Sequence, residues 1–284
     1  MRTLEAPFPW FGGKRRVAPI VWQRFGDGVL HYIEPFFGSG AVLLGAPYIP
    51  TYETVNDLDG FVANFWRAVV NDAEGVAKWL DWPVNEVDLE SRHAWLATHR
   101  GLLRRQLGAS PDWYDSKIAG FWCWGICQWV GSGWCYGSLK GIPRLSGSQG
   151  VHKNVDVYAW FAQLQARLRR VRVTCGDWTR VLTPSALMNH TAVFLDPPYA
   201  ETVHSGGRLP YANSGSQWKN VEAWCKQVDS SVRVAVCGYE GLFNPPVGWT
   251  VHKWKAGGSY RKHSRLSNNA TRERIWFSPN CLGE

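Results

Sequence analysis

The run Ala192-Val193-Phe194-Leu195 is apolar at every position, and it ends in Asp196-Pro197-Pro198-Tyr199. A strand with one face in water would alternate polar and apolar residues, so this one reads as covered on both faces, as strands of a parallel sheet are. Asp196 then stands at the strand's carboxyl end. Neither proline can donate to a sheet ladder, each fixes its own φ, and each holds the residue before it extended. The chain must leave the sheet rigidly there. In open α/β sheets ligands bind beyond the carboxyl ends of the strands, which makes this exit a candidate site. An Asp followed by prolines also makes an ordinary turn, and the tetrad alone does not separate the two readings.

The same rhythm recurs along the chain. Up to about residue 72, "HYIEPF" reads as extended, "FGSG" as a turn, "AVLLGA" as helical and "YETVNDLDG" as a strand with an acidic end. "FVANFWRAVVND" follows, with Phe61, Phe65 and Val69 at helical spacing. Further on come an amphipathic helix in "VYAWFAQLQARLRR" and strands in "VRVTCGDW", "AVFLDPPY", "VRVAVCGY" and "ERIWFS". Such alternation predicts an α/β fold with a doubly wound, mostly parallel sheet. Residues 73–165 break the rhythm. A helix is expected over 86–107, carrying Arg92, Arg100, Arg104 and Arg105, and after it the glycines at 131, 133, 137, 141, 147 and 150 predict loops or a hairpin rather than a long helix. The expected organisation is a catalytic domain in two parts, 1–72 and 166–284, interrupted by a largely helical domain at 73–165.

Composition narrows the classes. The chain has no run of about 18 apolar residues that could cross a membrane, and "MRTLEAPFPW" lacks the apolar core of a signal peptide, so the cytoplasm is the expected address. Seven cysteines, an odd number, fit reduced thiols better than a disulfide framework. Cys123, Cys127 and Cys135 invite a zinc reading, but they form no C-x2-C pair and lie among tryptophans, where buried thiols pack well. The chain holds 18 Trp, and Trp113, Trp122, Trp124, Trp129 and Trp134 crowd one stretch. They read either as an aromatic minicore or, for one or two, as rings that stack on bases. A net charge of +8 allows a polyanionic partner. From His252 to Arg274 only Glu273 opposes Lys253, Lys255, Arg261, Lys262, Arg265, Arg272 and Arg274, a pattern of either a solvated loop or a phosphate-contacting surface.

In order, "PFPWFGGK", "EPFFGSG", "VNDLD", "GDW" and "DPPY" resemble the Dam-type class of S-adenosylmethionine-dependent DNA adenine N6-methyltransferases of bacteria and their phages. The resemblance covers the first 72 residues and those after 165, and it is poor between them. It implies a Rossmann-like fold with an inserted target-recognition domain at 73–165. It also implies a methionine-binding role for Trp10, Gly12, Gly13, Lys14, Phe36, Gly38, Ser39 and Gly40, with Lys14 meeting the cofactor's carboxylate. Asp57 would bind the ribose, while Asp59, close by, competes for that role or caps the following helix. Asp177 and Trp178 would hold the cofactor's adenine. Asp196 and the Pro197 carbonyl would accept the hydrogens of the target amine, with Pro198 stiffening the turn and Tyr199 stacked on the base. The implied partner is duplex DNA, its base flipped out of the stack, with no metal required. Lys140, Arg144, Lys153, Arg261, Lys262 and Arg265 are the expected DNA contacts. Pro9 stands where Dam itself carries a lysine, and "WGICQWVGSGWCYG" replaces the familiar middle motifs, so a GATC site does not carry over. Cytosine N4, RNA, or a catalytically idle DNA-binding protein remain alternative readings.

Overall fold

A computed structural model describes residues 4–10, 13–110, 112–129, 133–136, 150–152, 156–188, 190–199, 214–255 and 269–283. Seven strands form one sheet: β1 His31–Glu34, β2 Tyr52–Asp57, β3 Val171–Cys175, β4 Thr191–Leu195, β5 Arg233–Tyr239, β6 Thr250–Lys253 and β7 Glu273–Phe277, in the order β3-β2-β1-β4-β5-β7-β6. The first five run parallel, whereas β7 is antiparallel to β5 and β6 to β7. The order reverses between β1 and β4, so the crevice at the topological switch point opens there.

Every residue of β4 and β7 is buried, and β5 is buried except at its ends. The strand period of two divides these residues between two layers. Tyr32, Phe194, Ala235, Cys237, Ile275 and Phe277 belong to one apolar cluster. Ile33, Val193, Leu195, Val234, Val236 and Trp276 belong to another. The edge strands are less covered, and β6, with the sequence Thr-Val-His-Lys, has no buried residue at all. It was absent from the sequence reading because an edge strand with three exposed residues and one half-buried carries neither an apolar run nor a clear alternation.

The first cluster is roofed by helices α1 Ala18–Phe25, α2 Ala41–Leu44, α3 Gly60–Asn71, α4 Ala73–Leu80, α5 Glu86–Ala109, α6 Ser116–Ile126 and α7 Val157–Leu168. The second is covered by α8 Ser214–Gln227 through Trp218, Val221 and Cys225. A one-turn helix α9, Asn269–Arg272, precedes β7. Helices α3 to α7 each begin at an Asp or Asn whose side chain accepts a main-chain N–H of the first turn: Asp59, Asp72, Asn85, Asp115 and Asp156. Each such cap contributes about 1 kcal/mol.

Helix α6 corrects the expectation of loop or hairpin for its part of the tryptophan stretch. Its glycines are demanded by contact: a Cβ on Gly120 would lie 2.4 Å from the Trp79 Cβ, and one on Gly125 1.9 Å from the Trp134 ring. Trp122, Trp124, Trp129 and Trp134 are buried and form the aromatic core. Arg92 is enclosed with them, its guanidinium 4.1 Å from the Phe121 ring and 4.2 Å from that of Trp124. All seven cysteines are free thiols.

Candidate active site

The β1 exit is held shut by its own polar groups. The Asn56 side chain donates to the Pro35 carbonyl and, at 3.0 Å, to that of Gly176, tying the exits of β1 and β3 to β2. Gly38 and Gly40 have φ of +49° and +65°, which favour glycine. A Cβ on Gly38 would also stand 2.3 Å from the Trp10 indole nitrogen. The Trp66 indole donates to the Gly38 carbonyl, and Ser39 is buried.

Asp57 is buried at the end of β2 and accepts two main-chain N–H groups, Gly38 on Oδ2 at 2.9 Å and Asp59 on Oδ1 at 2.8 Å. Asp59 takes the capping role that was one of its two sequence readings, accepting from the Phe61 N–H. The Tyr136 hydroxyl also donates to it at 2.8 Å. Burial, then the Asp57 charge, push Asp59 up to about 7 against those hydrogen bonds. Past β3, the exposed Asp177 accepts from the Thr179 N–H and hydroxyl. Trp178 is buried, its ring stacked on that of Phe36 at 5.7 Å and 26°.

The exit of β4 faces the N-terminal segment. Gly13 precedes a 3-10 turn, Lys14–Arg16, and the Lys14 ammonium lies 2.9 Å from Asp196 Oδ2, both side chains largely buried. Burial pulls Lys14 down, but Asp196, Cys237 and Glu273 more than offset it, and its pKa lies above the usual lysine range. For Asp196 burial outweighs Lys14, and its pKa is also raised. Lys14 was expected to face the cofactor; here it faces the tetrad's carboxylate.

Pro197 is buried, and the Trp218 indole on α8 donates to the Pro198 carbonyl at 3.2 Å. Tyr199 is the residue expected to stack on the target base. Its ring is only 6% exposed, 4.4 Å from that of Tyr239 and 6.1 Å from that of Trp218. Its hydroxyl reaches Glu273 Oε2 at 3.1 Å and Asp196 Oδ1 at 3.4 Å, so it forms the floor of the site.

Two buried acids escaped the sequence reading. Glu34, at the end of β1, accepts from Tyr32 at 2.8 Å, and burial pushes its carboxyl well above the usual range. Glu273 was read only as the lone counter-charge of a basic stretch, yet it is 2% exposed. Because β7 is antiparallel, its first residue lies at the edge where the parallel strands end. The signal available in sequence was the acid heading an apolar strand, and nothing in it gave the strand's direction. Gly12, Lys140, Arg144, Lys153, Arg261, Lys262 and Arg265 lie outside the described residues.

Among the described residues no helix is long and apolar enough to cross a membrane, and no group of three or more His, Cys, Asp or Glu could hold a metal ion. Residues 10–96 match the family described as D12 class N6 adenine-specific DNA methyltransferase. The match takes in the Trp10 segment, the β1 exit and the β2 carboxylates. No curated protein matches the chain.

Proposed function

We propose, from the premise that residues 10–96 belong to the D12 class of N6 adenine-specific DNA methyltransferases, that this chain methylates N6 of an adenine turned out of duplex DNA, with S-adenosylmethionine as donor. The observation that carries this reading is the buried Lys14–Asp196 pair at the switch point of the sheet. It sets the Asp-Pro-Pro-Tyr tetrad beside the matched segment.

The residues fit the donor. Asp57 is a carboxylate at the end of β2, a group that accepts from ribose hydroxyls, the Phe36–Trp178 pair offers aromatic surface for an adenine, and the glycine turn brings main chain close. Trp10, Gly12, Gly13, Lys14 and Ser39 would complete the methionine end, and Asp177 would accept from the adenine's amine. When bound, the donor supplies a methyl on a sulfonium.

The rest falls to the chain. Adenine N6 is a poor nucleophile while its lone pair is delocalised into the ring. Asp196 and the Pro197 carbonyl, accepting one amine hydrogen each, localise that pair toward the methyl. The paired prolines, with Trp218 pinning Pro198, hold the acceptors in place, which is catalysis by orientation. In a duplex N6 is stacked away from such a buried site, so the base must flip. Residues 73–165 would read the target, with Lys140, Arg144, Lys153, Arg261, Lys262 and Arg265 on phosphates or bases.

The test is tritium transfer from labelled S-adenosylmethionine to mixed-sequence duplex DNA, followed by nucleoside mass analysis. Label in N6-methyladenine is expected, and Asp196→Ala should abolish it, with circular dichroism showing that the variant used is folded. Label in N4-methylcytosine would overturn the choice of base, and equal turnover by Asp196→Ala would overturn the mechanism.

A further inference from the structure

The Tyr199 hydroxyl has one proton and two carboxylates in reach, Glu273 at 3.1 Å and Asp196 at 3.4 Å. Asp196 has its other oxygen on Lys14 at 2.9 Å. A carboxylate that must accept a hydrogen from a neutral amine does so more weakly when both its oxygens already accept from donors. The destination of the Tyr199 proton therefore bears on the reaction, and Glu273 competes for it.

Resting on the methyl-transfer reading, we propose that Glu273 is a positioning residue: as a carboxylate it draws the Tyr199 proton away from Asp196 Oδ1, leaving that oxygen to accept from the target amine. When Glu273 is protonated, Tyr199 turns its proton to Asp196, which then carries two donors and activates the amine poorly.

The groups facing Glu273 are few in kind. Lys14 faces it from the N-terminal 3-10 turn, and Asp196 and Tyr199 from the exit of β4. From β5, Tyr239 lies opposite it in register, and Cys237 interacts with it. On β1, Glu34 is pushed up in part by Asp196 and itself acts on Cys237. On its own segment Arg272 lies over the Tyr239 ring at 5.5 Å, while Arg274 pairs with Glu240 at 2.5 Å and stands opposite Lys253 of β6. Burial pushes Glu34, Tyr199 and Cys237 up, and Lys14 and Asp196 are the charges that act on Glu273. Burial first, opposed by Lys14, and then Asp196 bring Glu273 to about 7. Its ionisation thus falls where a change in pH reaches it.

The experiment is single-turnover methyl transfer to mixed-sequence duplex DNA by the full chain and by Glu273→Gln and Glu273→Ala, between about pH 5.5 and 8. The parent rate should rise with pH through an acid limb near 7. Glu273→Gln, neutral at every pH as protonated Glu273 is, should stay near the parent's low-pH rate and vary less than about twofold over that range. Glu273→Ala, which removes the carboxylate, should be slower than the parent by roughly tenfold at high pH, the worth of one hydrogen bond to a charged group. Cofactor affinity by calorimetry should be alike in all three. An acid limb that survives in Glu273→Gln belongs to another group, such as Asp196 or Asp59, and overturns the proposal while methyl transfer stands. A parent that methylates no adenine overturns the reading beneath it, and the proposal with it.

Discussion

At the residue scale, the acids at the carboxyl edge of the sheet differ by what surrounds them. Asp57 and Asp59 are two positions apart in one motif. Asp57 accepts from the main chain of Gly38 and Asp59, whereas Asp59 caps α3 and takes the Tyr136 hydroxyl. The capping alternative for Asp59 was legible in sequence, since an Asp ahead of an apolar helical stretch is a common start. Its burial was not, because Tyr136 arrives from 77 residues away. Burial raises Asp59 from 3.8 to about 7, so the folded state binds a proton that the unfolded state has lost between those values. The linkage has a definite sign: this group's stabilising contribution is fully present below about 4 and is lost as pH rises through about 7. Asp59→Asn keeps an oxygen to cap α3 and removes the titration. Urea unfolding at pH 5 and pH 8 should show a smaller loss of stability with rising pH in the variant than in the parent, and equal losses would refute the assignment.

At the element scale, edges and caps decide what a sequence pattern can reveal. Helices α3 and α7 and strands β1, β2, β4, β5 and β7 all coincide with segments legible as strand or helix, because each carries an apolar face of the right period. Helix α6 lies ahead of the glycines at 131–150 that predicted loops and was not read from the sequence; its own Gly120 and Gly125 admit Trp79 and Trp134. Helix α7 is fastened to β2 by Arg167, which meets Glu53 through both carboxylate oxygens at 2.7 and 2.6 Å and also donates to the Leu43 carbonyl. Both side chains are almost fully buried. Arg167→Ala would strand the Glu53 charge in the interior, and a loss of about 3–5 kcal/mol is expected in denaturant unfolding. A loss below about 1 kcal/mol, the worth of an exposed pair, would show that water reaches Glu53.

At the scale of the whole molecule, one sheet collects residues from opposite ends of the chain. Lys14, Asp57, Asp196 and Glu273 meet at a single edge because β1 and β4 are neighbours in the sheet and β7 runs against them. The net charge of +8 belongs to this scale too. If Arg261, Lys262 and Arg265 contact phosphates, replacing all three with alanine should weaken duplex binding for every sequence and lower the slope of log affinity against log salt by about 2 to 3. An unchanged slope in titrations from low to moderate salt would place the DNA elsewhere. By itself the sequence determined the class of fold and the order of the motifs, since apolar period, proline and glycine act locally through main-chain geometry. It also marked Asp57 and Asp196, because acids at strand ends are readable from their neighbours in the chain. Only the tertiary structure paired Lys14 with Asp196, buried Tyr199 and Arg92, and turned Glu273 from a surface counter-charge into a buried partner of the tetrad. Those outcomes depend on strand direction and on contacts between distant segments, which local pattern does not carry.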